Sequence, residues 1–364
     1  MKGCDYCRRS IVEGYPGWKP LDSVLFEVAQ ATYGSRPDKV TISGGGDLSC
    51  YPDLLPLVRM VSQGMVPVHL GYTSGKGFTK GNEAQALIDA GVREVSFTVF
   101  STDPEIRRKY MNDRHSEEAI KNLRRFCESC DVYAAAVLLK GVNDGPVLSQ
   151  TIEDLEEMGA KGLILMRFAN SSEQGLILGN APIIPGQETH TVGEFETIVT
   201  DAASSSSMRI TGTPLWDPLT LAPFALARDK QHLSKLPTIR RGATLLTSSV
   251  AAPFLQEIFN ELGGAVNVVA TNKDVGCLMT IDDIMDLDLS MIKETVIVPG
   301  RMLAHISDIK KALTKDGKKR LVLRGPDRLS VDGEMSISMS KEDVIEIELE
   351  AFTALIEDIN ALGV

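Results

Sequence analysis

The sequence predicts a two-part α/β protein: a barrel of strand–helix units over residues 1–205, a connecting segment over 206–242, and a smaller α/β domain over 243–364. Three observations carry this expectation. Short β-rich runs alternate with helical patterns through the first half of the chain. A polar stretch, Asp201-Ala202-Ala203-Ser204-Ser205-Ser206-Ser207, reads as a surface loop or domain margin, and a Pro-containing irregular segment follows it. Strand–helix alternation then restarts at Ala243. Strands separated by helices in this way pair in parallel, because each crossover helix returns the chain to the same edge of the sheet.

Lys39-Val40-Thr41-Ile42-Ser43 is the first β-rich run, closed by Gly44-Gly45-Gly46. A helical pattern over 54–63 leads to Val66-Pro67-Val68-His69-Leu70-Gly71-Tyr72. Further strands are expected over 94–100, 131–139 and 162–168, preceded by helices over 81–90, 116–129 and 148–158. About six such units make a partial or complete barrel, although periodicity alone does not exclude a doubly wound sheet. In a barrel the residues just after each strand face the active site, which selects where to look for chemistry.

In the second half, 244–247 reads as a strand, with Ser248 or Ser249 capping a helix to Leu262. A strand over 266–270, a short helix over 281–287 and a strand over 295–298 follow. The tail carries expected strands at 320–323 and Met335-Ser336-Ile337-Ser338, then an amphipathic helix over 345–361.

Composition narrows the function classes. A net charge of −11 argues against nucleic acid or an anionic membrane surface as partner. No apolar run approaches the roughly 20 residues that span a bilayer, and the first residues lack the apolar core of a signal peptide. The expected location is therefore the cytoplasm. The six cysteines, Cys4, Cys7, Cys50, Cys127, Cys130 and Cys277, are then read as metal ligands or buried thiols rather than disulfides.

Cys4 and Cys7 form a Cys-x-x-Cys pair around Tyr6. Two thiolates at this spacing reach one metal or cluster, while a redox pair, a zinc pair or core cysteines satisfy the same spacing. A strand later comes Gly44-Gly45-Gly46-Asp47. Glycines there let backbone approach a ligand closely, and their amides can hold the charged ends of a bound amino acid. A tight turn is the plainer reading.

A cluster loop, a helix and a strand ending in a glycine-rich turn resemble the radical S-adenosylmethionine (SAM) superfamily, whose fold is a partial TIM-type barrel. Ser96-Phe97-Thr98-Val99-Phe100-Ser101 with residues 107–112, and residues 134–139 running into Lys140-Gly141-Val142-Asn143-Asp144, are similar to its later strands and the loops after them. A narrower resemblance rests on Gly3-Cys4-Asp5-Tyr6-Cys7, Ser43-Gly44-Gly45-Gly46-Asp47, Leu70-Gly71-Tyr72-Thr73-Ser74-Gly75-Lys76-Gly77-Phe78 and Asp274-Val275-Gly276-Cys277-Leu278. These strings are similar to the methanogenesis marker family of cobalamin-dependent radical SAM methyl-coenzyme M reductase arginine methyltransferases.

That resemblance implies a [4Fe–4S] cluster on Cys4 and Cys7, with Tyr72 able to reach its open iron, and SAM contacted by Gly44, Gly45, Gly46, Asp47 and Thr98. It implies cobalamin held by the C-terminal region, with Ser248, Ser249, Gly276, Cys277 and Leu278 as candidate contacts. The implied reaction is radical methylation of the δ carbon of an arginine in the α subunit of methyl-coenzyme M reductase, with a separate electron donor. Asp103, Glu105 or Asp144 are candidates for pairing with the guanidinium.

The sequence departs from the family in two places. The family pattern Cys-x5-Cys-x2-Cys would put its first cysteine before Met1, so an N-terminally truncated form is expected. Gly46 stands where the superfamily has an acidic residue, with Asp47 next. A radical SAM reaction without cobalamin and a non-catalytic barrel scaffold are the alternatives. Cys127 and Cys130 fall at a helix end away from the barrel mouth and are read as structural, as is Cys50. The histidines show no ligand spacing, and no Asp-x-His-x-x-Gly motif of a conventional cobalamin domain is present.

Overall fold

Within the residues described by the computed structural model, which are 4–6, 17–34, 37–44, 46–64, 66–175, 182–327 and 337–364, six strands lie side by side in chain order. They are β1 (Val40–Ile42), β2 (Val68–Thr73), β3 (Val92–Thr98), β4 (Asp131–Leu138), β5 (Gly162–Arg167) and β6 (Arg209–Thr213). The pairs from β1 through β5 are parallel. Because the order never reverses, successive right-handed crossovers place their helices on one face, and a sheet wound one way curls toward a barrel. A doubly wound sheet would reverse its order partway. The fold is thus the radical SAM type of partial barrel.

The helices of this part are α1 (Leu21–Ala31), α2 (Leu54–Ser62), α3 (Glu83–Ala90), α4 (Pro104–Tyr110), α5 (Ser116–Cys127), α6 (Gly145–Met158) and α7 (Val192–Ser205). Leu54, Leu57, Val58 and Val61 form the buried stripe of α2, and Ala119, Leu123 and Phe126 that of α5. Val68 and Leu70 of β2 and Val132, Ala134 and Ala136 of β4 are buried. Alternate positions carry Thr41, His69 and Ser96, whose side chains link across three strands: His69 Nδ1 lies 3.2 Å from Thr41 Oγ1 and Nε2 2.9 Å from Ser96 Oγ. Burial lowers the His69 pKa, against the opposing pull of Glu94.

The chain divides into two compact units. One comprises Met1–Phe168, Ile183–His190 and Asp201–Ile210; the other comprises Ala169–Pro182, Thr191–Thr200 and Thr211–Val364. The second is built on a four-stranded parallel sheet in the order β10–β9–β7–β8, from β7 (Ala243–Thr247), β8 (Val266–Ala270), β9 (Thr295–Val298) and β10 (Leu321–Arg324). Its helices are α8 (Ala225–Arg228), α9 (Ala252–Leu262), α10 (Ile281–Met285), α11 (Ile306–Leu313) and α12 (Lys341–Leu362). One core joins Phe224, Leu245, Phe259, Phe352 and Leu355; another joins Leu246, Val296, Met302 and Ile309.

Several expectations change. The polar stretch at 201–207 is helical through Ser205, because Phe195, Val199 and Ala202 give α7 a buried stripe that outweighs the serines' preference for turns. Ser206 Oγ and Ser207 N then donate to Glu156 at 2.9 and 3.0 Å. The segment expected to be irregular supplies β6, α8 and core residues Leu215, Ala222, Phe224, Leu226, Leu233 and Leu236; its apolar residues are buried without any regular period. The N-cap of α9 is Ala251 rather than Ser248 or Ser249, although Ser248 Oγ accepts from Ala251 N at 3.3 Å. Helix α12 starts at a capping box of Ser340 and Asp343. Of the expected strand near it, Met335 and Ser336 lie outside the described residues and Ile337 and Ser338 form a turn. No helix among the described residues is long and apolar enough to cross a membrane.

Glu348 of α12 is buried in the second unit, where its carboxylate oxygens accept from Ala225 N at 2.9 Å and Leu226 N at 3.0 Å. These are first-turn amides of α8, which have no partner within the helix. Burial pushes this carboxyl up to about 7, with the backbone amides of Leu226, Ala225 and Phe224 pulling the other way. A folded-state pKa above the unfolded one adds stability that is complete below the unfolded value, about 4.3, and is lost as pH rises through about 7. Thermal melts at stepped pH should show this loss, and Glu348→Gln should flatten the profile between about pH 4.5 and 7. Glu348→Ala should cost about 1–3 kcal/mol at any pH by leaving buried amides unpaired.

Candidate active site

The loops after β1 and β2 are joined through Asp47. Its Oδ1 accepts from Ser49 N at 3.0 Å, Ser49 Oγ at 2.8 Å, Thr73 Oγ1 at 3.1 Å and Ser74 N at 3.1 Å, and its Oδ2 accepts from the Ser74 hydroxyl. The local part is an Asx turn opening the short helical turn Leu48–Cys50. The long-range part ties two strand ends together. Asp47, expected at SAM, is thus engaged in holding the loops. Gly44 and Gly46 border open space, with no atom within 4 Å of an added Cβ, whereas Gly45 lies outside the described residues.

At the end of β2 the register with β3 slips: Leu70 pairs with Val95 and Thr73 with Phe97, so Gly71 and Tyr72 together stand against Ser96. Such a bulge re-aims a side chain. Tyr72 has φ 41° and is 55% exposed at the strand end. A left-handed tyrosine costs about 1–3 kcal/mol unless its surroundings impose it. Two glycines then turn the chain tightly. Gly75 has φ +76° and would place a Cβ 2.9 Å from Phe97; Gly77 would place one 1.9 Å from Ser49 O. Between them, Lys76 points inward and is only 7% exposed.

Arg107 fixes the next layer. Its guanidinium is fully buried and donates to Asp113 Oδ2 from Nε (3.1 Å) and Nη2 (2.7 Å), to Val99 O (2.6 Å) and to Ser74 O (2.7 Å). Asp113 is equally buried. The pair locks α4 and the loop beyond it to the ends of β2 and β3. Sequence reading did not single it out, because Arg107 lies on a short helix of mostly charged residues whose spacing gives no sign of which charge turns inward.

Residues 4–6 dock on this frame. Asp5 N donates to Tyr110 O at 2.9 Å, and Asn112 Nδ2 donates to Asp5 Oδ1 at 2.8 Å. The Tyr6 ring stacks on Phe100, centroids 4.7 Å apart and planes 9° from parallel. Lys76 Nζ donates to Met111 O and lies 4.0 Å from Cys4 Sγ. Phe100 (φ 62°) and Asn112 (φ 54°) are left-handed, as is Tyr72. Tyr72 is the second-last residue of β2, and Phe100 and Asn112 follow β3, so backbone strain in the described residues of this unit concentrates at the candidate site. Cys7 lies outside the described residues. Thr98 ends β3, half-buried and paired with Ala135.

Other candidates are placed elsewhere or engaged. Asp103 caps α4 through Glu105 N and Ile106 N, Glu105 pairs with Arg108, and Asp144 accepts from Gly141 N and pairs with His190. Cys130 donates to Val92 O at the opposite end of β3, and burial pushes the Cys127 and Cys130 thiols up to about 12 and about 11. Burial, with Asp47 adding to it, pushes the Cys50 thiol up to about 11, which keeps it protonated near neutral pH. Ser248, Ser249, Gly276, Cys277 and Leu278 belong to the second unit. There Ser248 is buried, Ser249 Oγ donates to Asp274 at 2.8 Å, Gly276 is buried, and Leu278 closes against Gly175. Cys277 is half-buried in the same short helical turn.

Gly77→Ala should destabilise the first unit more than an ordinary surface change, by about 1–3 kcal/mol, because a Cβ there meets backbone rather than a movable side chain. Gly44→Ala, facing open space, should leave the melting temperature nearly unchanged. Melting curves of the two variants check the contrast.

Residues 1–149 match the radical SAM superfamily model. No curated protein sequence matches the chain. Among solved structures it is similar to SuiB of Streptococcus suis bound to precursor peptide SuiA, at 13% identity over 63% of this chain and 48% of that one, TM-score 0.46. It is also similar to a radical SAM methyltransferase from Sphaerobacter thermophilus, at 14% identity over 58% and 62%, TM-score 0.43. Methylornithine synthase (PylB) matches at 13% identity over 88% and 80%, TM-score 0.43. The chain spans about half the length of SuiB. The matched span, residues 1–149, holds β1 to β4 and the docked Cys4 segment, and the radical SAM superfamily that it matches is one whose cofactors are a [4Fe–4S] cluster and SAM.

Proposed function

We propose that the chain is a radical SAM enzyme acting at the carboxyl ends of β1, β2 and β3, and that its reaction is methylation of the δ carbon of an arginine in the α subunit of methyl-coenzyme M reductase. The observation that supports the first part is the seating of Cys4 against the loop after β2. The second part rests on the motif strings around Cys4, Gly44, Tyr72 and Cys277.

Of the residues proposed to hold a cluster, Cys4 is described at the barrel mouth and Cys7 lies outside the described residues. Cys4 is half-buried, with Lys76 Nζ 4.0 Å from its sulfur. Cys4 and Cys7 would hold the cluster, and the outward Tyr72 phenol is the oxygen donor assigned to its open iron. Gly44, Gly45 and Gly46 are proposed to contact the amino acid end of SAM together with Thr98, and Asp47 ties the loop after β1 to the end of β2. When bound, these groups supply one-electron chemistry that abstracts hydrogen from an unactivated carbon. The chain's part is to hold the arginine side chain in line with that radical centre. A separate protein supplies the electron. The net charge of −11 suits protein rather than nucleic acid as substrate.

Ser248, Ser249, Gly276 and Leu278 do not fit a cobalamin site, since their side chains and backbone are taken up in the packing of their own unit. This favours a second reading, a radical SAM reaction that runs without cobalamin.

After anaerobic reconstitution the protein should bind iron and sulfide and cleave SAM to 5′-deoxyadenosine under reduction; absence of both cluster and cleavage in well-folded protein would refute the enzyme reading. Cys4→Ala should lower iron content, while Tyr72→Phe should retain it and change the absorption spectrum of the SAM-free cluster. Incubation with an arginine peptide from the reductase α subunit should add the mass of one methylene. Cobalamin retained through purification would favour the first reading over the second.

A further inference from the structure

We propose that residues 183–190 form a strap that closes over the carboxyl ends of β3, β4 and β5, latched by His190 on Asp144, and that the strap lifts to open the apolar floor beneath it. The strap belongs to the first unit, and the inference does not depend on the reaction proposed above. Its path is fixed by residues at the barrel mouth. Ile183 and Ile184 pack against a cluster of Tyr6, Phe100, Met111, Leu139 and Phe168, and Cys4 packs against the same cluster. Phe100, Leu139 and Phe168 stand just beyond the ends of β3, β4 and β5. The chain then reverses at Ile184-Pro185-Gly186-Gln187. Gln187 N donates to Ile184 O at 3.2 Å and Gly186 has φ +76°, the proline–glycine order of a type II turn. Past the turn, Gln187 Nε2 donates to Lys140 O at 2.9 Å, and His190 Nε2 donates to Asp144 Oδ2 at 3.0 Å. Gly141 N aims the Asp144 carboxylate, 3.0 Å from each of its oxygens.

Two features make this a segment that opens. Residues 182–190 form neither helix nor strand, so no ladder of backbone bonds holds them, and segments of that kind open locally at far less cost than strands do. The second feature is the latch itself. His190 is only 3% exposed, and its Nδ1 is buried with no hydrogen-bond partner. A polar ring atom kept dry raises the free energy of the closed state, and water reaching it in the open state recovers that loss. Burial of Ile183 and Ile184, the Gln187 contact and the Asp144 bond offset it. The closed state is thus held against an opposing term at the latch. Lifting the strap uncovers the Tyr6–Phe100 stack and the Cys4 segment beside it.

The test uses the full chain, kept free of metal so that Cys4 can be labelled, and reads two rates by mass spectrometry. One is amide hydrogen exchange over residues 183–190. The other is alkylation of Cys4 relative to Cys130, which is buried at the opposite end of β3. His190→Ala should speed both strap exchange and Cys4 alkylation by roughly 5- to 30-fold, the effect of one or two lost side-chain hydrogen bonds on an opening equilibrium, with Cys130 unchanged. Gln187→Ala, which frees the strap from Lys140 O, should act in the same direction, and it carries the test if His190→Ala does not fold. Unchanged strap exchange in the folded variants overturns the proposal. So does faster strap exchange with Cys4 unaltered, since the strap would then cover nothing. Cys130 accelerating together with Cys4 means that the whole unit has loosened, and loss of the fold in both variants makes the two residues structural; either result overturns it as well. None of these rates requires a cluster or SAM cleavage, so failure of the enzyme reading and failure of the strap are read separately.

Discussion

The buried ion pair of Arg107 and Asp113 is the constraint on which the barrel mouth depends. A guanidinium removed from water must satisfy a planar fork of donors, and here the acceptors come from the ends of two strands and from Asp113 in the loop beyond α4. Losing either partner would leave a buried charge unanswered, at about 3–5 kcal/mol. That penalty holds Ser74, Val99 and Asp113 in one arrangement. Everything the candidate site uses is attached to these three points: the Tyr72 bulge precedes Ser74, Phe100 follows Val99, and Asn112 precedes Asp113. The left-handed backbone at Tyr72, Phe100 and Asn112 persists because the frame around it is fixed.

Asp47 does for the loop after β1 what Arg107 does for β2 and β3. A carboxylate next to a glycine turn invites assignment to a ligand, yet its oxygens hold Ser49, Thr73 and Ser74. The glycine turn is thereby free to present backbone, while the carboxylate organises the loop behind it. The same division explains the Gly-Lys-Gly string. Gly75 and Gly77 satisfy steric demands, and Lys76 carries the charge.

The second unit answers a different packing problem. Its strand order turns around at β7, with β8 on one side and β9 and β10 on the other, so apolar cores lie on both faces of a small sheet. Burying both faces draws in residues well before the first strand, from Leu215 to Leu236. Ser249 is held by Asp274, and Leu278 of the Gly276–Leu278 turn packs against Gly175. Their resemblance to a motif did not reveal whether their polar groups would be available.

The sequence by itself determined the elements whose information is local. The β-rich runs before the glycine turns and the buried stripes of α2 and α5 act within a few residues, so each is legible from spacing. The Cys4 pair and the Tyr72 loop were legible as strings. Tertiary structure alone decided which charges turn inward and what they hold. Asp47 meets Ser74 across 27 positions, and Lys76 meets Cys4 across 72. It also decided that α7 would be helical through its serines and that the segment after β6 would join a core. The reason is physical: helix and strand periods are set by neighbouring residues, whereas the environment that makes a charge worth burying is assembled from strand ends far apart in the chain.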